Sequence, residues 1–333
     1  MSLRRTGLWP VAALAHLVLV FACATPPPIP EDAVELPAVF YGERIFVTPV
    51  TTTGETLHLY TDTGGGLFLQ EAAVERLGLP VREVTRDGQT VRLAPLPELR
   101  PDAWIPPVPG EHDPSFPGVD GLLYVIPAGQ AFSQVGDGML GQAWFGNGVW
   151  TFDYPGKRLF YHASAGAPAP DPPHTVALGF KTDETGRRET HFPSLEATVD
   201  GETLPFLLDT GAMVRLTDAA LAVLDDEGPA TRATSFITET VFDRWRRRHP
   251  GWPVIENADR TVSGAPMIQV PEVAIAGHTV GPVWFTRRPD RNFHEFMARM
   301  MDREVEGALG GSLFRYFVLT VDYPGARATF RRP

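Results

Sequence analysis

Gly54-Glu55-Thr56-Leu57-His58-Leu59-Tyr60-Thr61-Asp62-Thr63-Gly64 returns later in the chain as Gly201-Glu202-Thr203-Leu204-Pro205-Phe206-Leu207-Leu208-Asp209-Thr210-Gly211. The two stretches share 7 of 11 residues at a fixed offset of 147. A second pair of blocks follows: residues 137–158 and 306–327 share 11 of 22 positions at an offset of 169. It runs from Gly138-Met139-Leu140-Gly141 and Gly307-Ala308-Leu309-Gly310 to Asp153-Tyr154-Pro155-Gly156 and Asp322-Tyr323-Pro324-Gly325. The offset grows by 22 residues between the blocks, so the second half carries an insertion between its motifs. Matching blocks in matching order mark an internal duplication.

Each half reads as mostly β. Ile45-Phe46-Val47 passes through Thr51-Thr52-Thr53-Gly54 into the strand ending at Asp62, and Leu195 to Val199 turns at Asp200-Gly201 into the strand ending at Asp209. Turn residues between apolar runs of this length predict hairpins. Alternation puts Leu204, Phe206 and Leu208 on one face and Leu207 and Asp209 on the other. Tyr154-Pro155-Gly156 and Tyr323-Pro324-Gly325 predict tight turns joining the last two strands of each half, with Asp153 and Asp322 serving turn geometry. Short helices are expected at Glu71–Leu77, Thr217–Asp226, Ser235–His249 and Asp290–Met301, the last with a broad apolar face suited to packing.

The stretch from Val199 through Asp209-Thr210-Gly211-Ala212, with the later Ala308-Leu309-Gly310, resembles the active-site strand and the hydrophobic-hydrophobic-Gly segment of retroviral aspartic proteases. The first half repeats both, with Asp62-Thr63-Gly64 and Met139-Leu140-Gly141. Retroviral enzymes assemble the site from two identical chains and pepsin-like enzymes fuse two lobes; this chain resembles a fused version built from retropepsin-like halves. The resemblance implies an all-β, bilobal acid-protease fold, two retropepsin-like β-barrel lobes with a few short helices. It also implies aspartic endopeptidase activity in an inter-lobe cleft, with Asp62 and Asp209 catalytic and no metal or cofactor required. Thr63 and Thr210 are implied to lock the two loops together through their hydroxyls. Gly64 and Gly211 allow the sharp turn that brings amides near the carboxylates. Gly141 and Gly310 let a strand pass close behind each loop. After the triplets stand Gly65 and Ala212, where pepsin-like enzymes usually have Ser or Thr. Gly65 adds no side-chain donor to Asp62, and the two acids are therefore expected to be electrostatically unequal. No flap tyrosine is evident in the first half; 84–91 and 258–270 are the hairpin-like segments suited to covering a cleft.

The amino terminus sets the compartment. Arg4 and Arg5 precede an apolar stretch from Leu8 to Ala22, followed by Cys23, the only cysteine. A basic start, a short apolar run and small residues at its end describe an export signal, and Val20-Phe21-Ala22-Cys23 resembles the bacterial lipobox. That resemblance implies lipid attachment at Cys23 and a membrane contact through the anchor, at the periplasmic side or outer membrane of the cell envelope. The expected organisation is a signal at 1–22, a proline-rich tether at 23–35, a first lobe at 36–163, a linker at 164–174 and a second lobe at 175–333. A monomer with internal pseudo-twofold symmetry is expected.

Composition supports a folded chain, with 43% hydrophobic residues and a net charge of 29 − 40 = −11, or −13 once Arg4 and Arg5 leave with the signal. That balance argues against nucleic acid as a partner; the resemblance implies a peptide or protein substrate. The basic run Arg244-Trp245-Arg246-Arg247-Arg248-His249 reads as a solvated helix face. His58 lies four residues before Asp62, too far along a strand to assist it. His294-Glu295 lacks zinc spacing, and Ser263-Gly264 and Gly311-Ser312 lack a serine-hydrolase context. A non-catalytic envelope lipoprotein binding a peptide or partner in the same groove is the competing reading, and an inert scaffold is a third.

Overall fold

The computed structural model describes residues 33–86, 88–109, 121–130, 133–162 and 168–333. The signal, Cys23, most of the tether and the start of the linker lie outside the described residues.

Three large sheets carry the chain. An eight-stranded sheet belongs to the first half, a nine-stranded sheet to the second, and a six-stranded sheet takes strands from both. The shared sheet is built from the two closing hairpins of the repeat. Val149–Asp153 with Arg158–His162, and Val318–Asp322 with Arg327–Arg331, pair antiparallel through their first strands. Thr151 stands opposite Thr320, and their hydroxyls hydrogen-bond at 2.9 Å. These positions are equivalent in the duplication, so the pseudo-twofold axis passes between them. Ala33–Glu35, within the stretch read as tether, adds an edge strand to this sheet against Phe160–His162. Asp153 and Asp322 hold their turns as expected, accepting from the Gly156 and Gly325 amides at 2.8 and 2.7 Å.

Within each half the strand leading to Asp-Thr-Gly is sandwiched the same way. Arg44–Val47 pairs antiparallel with Leu59–Thr61, which pairs parallel with Gly138–Leu140. Ser194–Val199 pairs antiparallel with Glu202–Leu208, which pairs parallel with Gly307–Leu309. The alternation in Glu202–Leu208 resolves as expected: Leu204, Phe206 and Leu208 enter the main core, while Leu207 packs with Phe192, Phe293, Met297 and Met301.

The helices are shorter than the sequence implies. Glu71–Arg76 forms and ends before Gly78, which is left-handed. Asp218–Leu224 is capped by the Thr217 hydroxyl and stops at Asp225, itself left-handed, rather than at Gly228. The helix expected from Ser235 begins at Glu239, because Ser235–Thr238 is taken into the sheet beside Val283–Arg288. Tertiary pairing overrides the local pattern there. The segment expected as one helix over 290–301 is a wide π turn, Asn292–Phe296, followed by a tight 3-10 turn, Met297–Arg299. The basic helix face is solvated and ion-paired: Arg244 with Glu202, Arg246 with Glu256, Arg248 with Asp200.

Candidate active site

The two Asp-Thr-Gly triplets meet. Each continues its strand by one ladder bond, Asp62 N–H to Leu140 O at 3.1 Å and Asp209 N–H to Leu309 O at 2.9 Å. The parallel neighbour therefore fixes where each acid arrives. Asp62 and Asp209 are 9% and 8% exposed, and their carboxyls are hydrogen-bonded to each other. Each accepts its own loop amide: Gly64 N–H to Asp62 Oδ1 at 2.8 Å, Gly211 N–H to Asp209 Oδ1 at 2.9 Å.

The threonines tie the loops across the axis. The Thr63 hydroxyl donates to Leu208 O at 2.7 Å and accepts from the Thr210 amide at 2.9 Å, while the Thr63 amide donates to the Thr210 hydroxyl at 3.1 Å. All of these groups are buried, so each bond also spares a polar atom from standing unpaired in the interior. The glycines are required by close approach. A Cβ on Gly64 would lie 2.7 Å from Asp209 Cγ, and one on Gly211 would overlap the Asp62 carboxyl. Each triplet's glycine thus faces the opposite triplet's acid. Behind the loops, a Cβ on Gly141 would overlap the Gly65 and Gly66 carbonyls, and one on Gly310 the Thr234 carbonyl.

Gly65, unusual in sequence, has a physical reason. A Cβ there would sit 2.5 Å from Asp62 Oδ2 and 2.6 Å from Met139 Sδ. The matching position of the second half holds Ala212, and there Ala308 stands in the place of Met139.

Burial pushes both acids upward in pKa. Desolvation is the main cause for each; the bond between the acids couples the pair, and the amides of Gly64 and Gly211 oppose the rise at Asp62 and Asp209. Two acids in contact cannot both ionise cheaply, so the pair holds one proton across a range of pH. Neither Gly65 nor Ala212 supplies a hydroxyl to its acid, so the absent donor that sets Asp62 apart in the sequence is absent at Asp209 as well.

Tyr60 belongs to the site although the sequence reading passed over it. It is fully buried, and its hydroxyl donates to Gly211 O at 2.9 Å. Its position two residues before Asp62, on the same strand face, was the available signal. Of the segments considered as covers, 84–91 lies in the hairpin of Arg82–Arg86 with Gln89–Pro95, at one edge of the eight-stranded sheet. The segment 258–270 falls in the bent hairpin Val254–Asp259 with Ala265–Val270, at an edge of the nine-stranded sheet. His58 is exposed and engages Asp137 through its backbone.

No metal ligation is expected from the sequence. Among the described residues, His294, Glu304 and Glu306 do bring ligand atoms within 4.8 Å of one another. Glu306 there accepts from the Thr238 hydroxyl at 2.8 Å and contacts His294 Nε2 at 3.2 Å.

No protein-family model matches the chain, and no curated protein matches it. Solved structures similar to it include an aspartic proteinase from Irpex lacteus, 12% identical over 90% of this chain and 97% of that one, with a TM-score of 0.47. A retropepsin-like aspartic protease from Rickettsia conorii is 13% identical over 47% of this chain and 89% of that one, at 0.28. Basic 7S globulin from soybean is 10% identical over 91% and 94%, at 0.45. Likenesses this distant add nothing to the geometry. The topology itself is that of a bilobal, all-β acid-protease fold: a duplicated Asp-Thr-Gly strand, a parallel hydrophobic strand behind each loop, and one sheet shared by the halves.

Proposed function

We propose that the chain is an aspartic-type endopeptidase, with Asp62 and Asp209 as its catalytic residues. The observation that carries this reading is the buried, hydrogen-bonded pair of carboxyls, one from each half, with the Thr63–Thr210 lattice holding them together. The ionised acid takes a proton from a bound water, whose oxygen bonds to the scissile carbonyl carbon. The protonated acid gives its proton to the carbonyl oxygen as it becomes tetrahedral. Collapse of the resulting diol breaks the C–N bond, the nitrogen leaving with the proton of one acid while the other acid takes a proton back from a diol hydroxyl, which restores the pair. A water between one acid and one acid anion has both the base and the acid it needs at a single point. Thr63, Gly64, Gly65, Thr210, Gly211 and Ala212 support the geometry, and peptide or protein is the substrate class.

The amino-terminal sequence supports an exported protein held at a bacterial envelope by lipid on Cys23, acting as a monomer with internal pseudo-twofold symmetry. The test is purified full-length protein incubated with a diverse peptide pool from pH 3 to 8, beside Asp62→Asn and Asp209→Asn. Cleavage by the native chain that vanishes in both variants is the expected result. Cleavage surviving either substitution would exclude the mechanism. Peptide binding without cleavage would instead favour a non-catalytic groove.

A further inference from the structure

Two arginines are buried among the described residues, Arg44 and Arg288. Arg288 has a carboxylate, Asp259, at 2.8 Å. Arg44, 6% exposed, has none among the described residues: its Nη1 donates to the Gln134 carbonyl at 2.8 Å and lies 4.0 Å from Met213 Sδ, and its guanidinium lies 5.1 and 5.9 Å from the ring centroids of Phe46 and Tyr60. Its Nε is buried with no hydrogen-bond partner. A guanidinium withdrawn from water without a counter-charge is costly. Ring faces, one carbonyl and a distant sulfur offset only part of that cost, and the side chain lines a space that can hold an acceptor.

That space is a cleft of about 440 Å³ between the halves, lined by Tyr41, Arg44, Phe46 and His58 from the first and Arg215 and Thr231 from the second, among others. None of its lining residues is acidic. It lies on the acids' side of the sheet. Phe46 pairs with Tyr60 in register, Arg44 is two residues before Phe46 and Asp62 two after Tyr60, so all four point to one face. The Tyr60 ring spans from Arg44 to the Gly211 carbonyl. One side chain therefore separates the cleft from the catalytic pair.

We propose that this cleft is a subsite for a carboxylate of the peptide substrate. The carboxylate would meet Arg44 at the floor and Arg215 at the rim, with Tyr41 and Phe46 packing against the methylenes that carry it. Two cationic side chains with donors to spare suit a carboxylate better than a neutral amide, which leaves the buried charge unmatched. The shared chemistry has two sources, the side chain of Glu or Asp near the scissile bond and a free peptide C-terminus. The inference rests on the peptidase reading for its role, but the carboxylate site itself does not.

The probes are dodecapeptides centred on Phe-Leu, with Glu or Gln placed in turn at each of the three positions on either side, each made with a free and an amidated C-terminus. On the native full-length chain, Glu at one position raises kcat/KM roughly 10- to 100-fold over Gln, the worth of a charge-assisted hydrogen bond. Preference lost on amidation, rather than on Glu-to-Gln exchange, assigns the terminal carboxylate instead. Arg44→Met and Arg215→Met narrow the ratio, Arg44→Met the more, and Arg44→Lys keeps part of it. Equal cleavage of all forms by the native chain would overturn the subsite and leave the peptidase reading standing. Binding of the same peptides to Asp209→Asn, followed by fluorescence anisotropy, separates the two ideas. Carboxylate-dependent binding without any cleavage by the native chain would sink the peptidase reading and keep the subsite, and binding indifferent to the carboxylate would sink the subsite.

Discussion

In the second half, the sheet face that carries Phe192, Leu207 and Ala308 is covered by Phe293, Met297, Met301 and Val305. The matching face of the first half carries Arg44, Phe46, Tyr60 and Met139; Val135 and Met213 pack with Tyr60 and Met139, while Arg44 and Phe46 open on a cleft. The correspondence follows from register. Ser194 stands opposite Leu207 as Phe46 stands opposite Tyr60, so Phe192 occupies the place of Arg44. Phe236 beside Ala308 likewise matches Phe68 beside Met139. The covering residues 293–301 lie in the stretch between motifs that the second half has lengthened by 22 residues. Duplication supplied two equivalent faces; one was sealed with apolar side chains and the other lined with charge. Symmetry is kept where the acids meet and abandoned beside them.

The largest effect should come from the part that stayed symmetric. Asp62→Asn and Asp209→Asn each lower kcat/KM by about 10³-fold or more, since either removes one member of a unit that works only as a pair. A loss confined to one half would break the equivalence. Next is the seal: Phe293→Ala should cost about 3–5 kcal/mol in urea unfolding, the range for emptying a buried aromatic site. Phe46→Ala, half-buried beside the cleft, should cost clearly less. If the two costs are equal, the contrast between sealed and open faces is wrong.

The exchange of Gly65 and Met139 for Ala212 and Ala308 makes a smaller and sharper prediction. Gly65→Ala alone should destabilise by about 1–3 kcal/mol through overpacking. The same change in a Met139→Ala background should cost less by the part due to the sulfur, the contact with the Asp62 carboxyl remaining, which gives a favourable coupling in a double-mutant cycle. Thr63→Val should cost about 1–2 kcal/mol by leaving Leu208 O and the Thr210 amide unpaired, whereas Thr63→Ser retains most of the stability.

The smallest effect concerns pH. Raised carboxyl pKa values in the folded state mean stability that is present below the ordinary carboxylate range and lost as pH rises through the raised values of the pair. Asp209→Asn relieves that penalty. It should raise Tm by about 2–4 °C at pH 7, with the gain shrinking toward pH 4.

Much of this was legible in the sequence, and for physical reasons. Asp-Thr-Gly, the glycines behind it and the Asp-Tyr-Pro-Gly turns are dictated by local geometry and close contact, so they survive in both halves as recognisable text. The threonine lattice was implied by resemblance and is seen in the hydrogen bonds of Thr63 and Thr210. Arg44 was not legible. A single arginine in a strand carries no motif, and its isolation depends on sheet register and on Arg215 arriving from the other half. Ser235–Thr238 was misread as helix because its pairing partners lie about 50 and 70 residues away, beyond what a local pattern records. Gly65 is explained by the Asp62 carboxyl beside it together with the sulfur of Met139, far along the chain.

The central claim is that Asp62 and Asp209 titrate as one unit. It is tested most directly by following the side-chain carboxyl ¹³C shifts of both residues from pH 2 to 9 in the full-length chain. The two signals should move together in two steps, the second above the ordinary carboxylate range, and Asp209→Asn should collapse them to a single step for Asp62. Two independent titrations near the ordinary carboxylate value, each indifferent to the loss of the other acid, would contradict it.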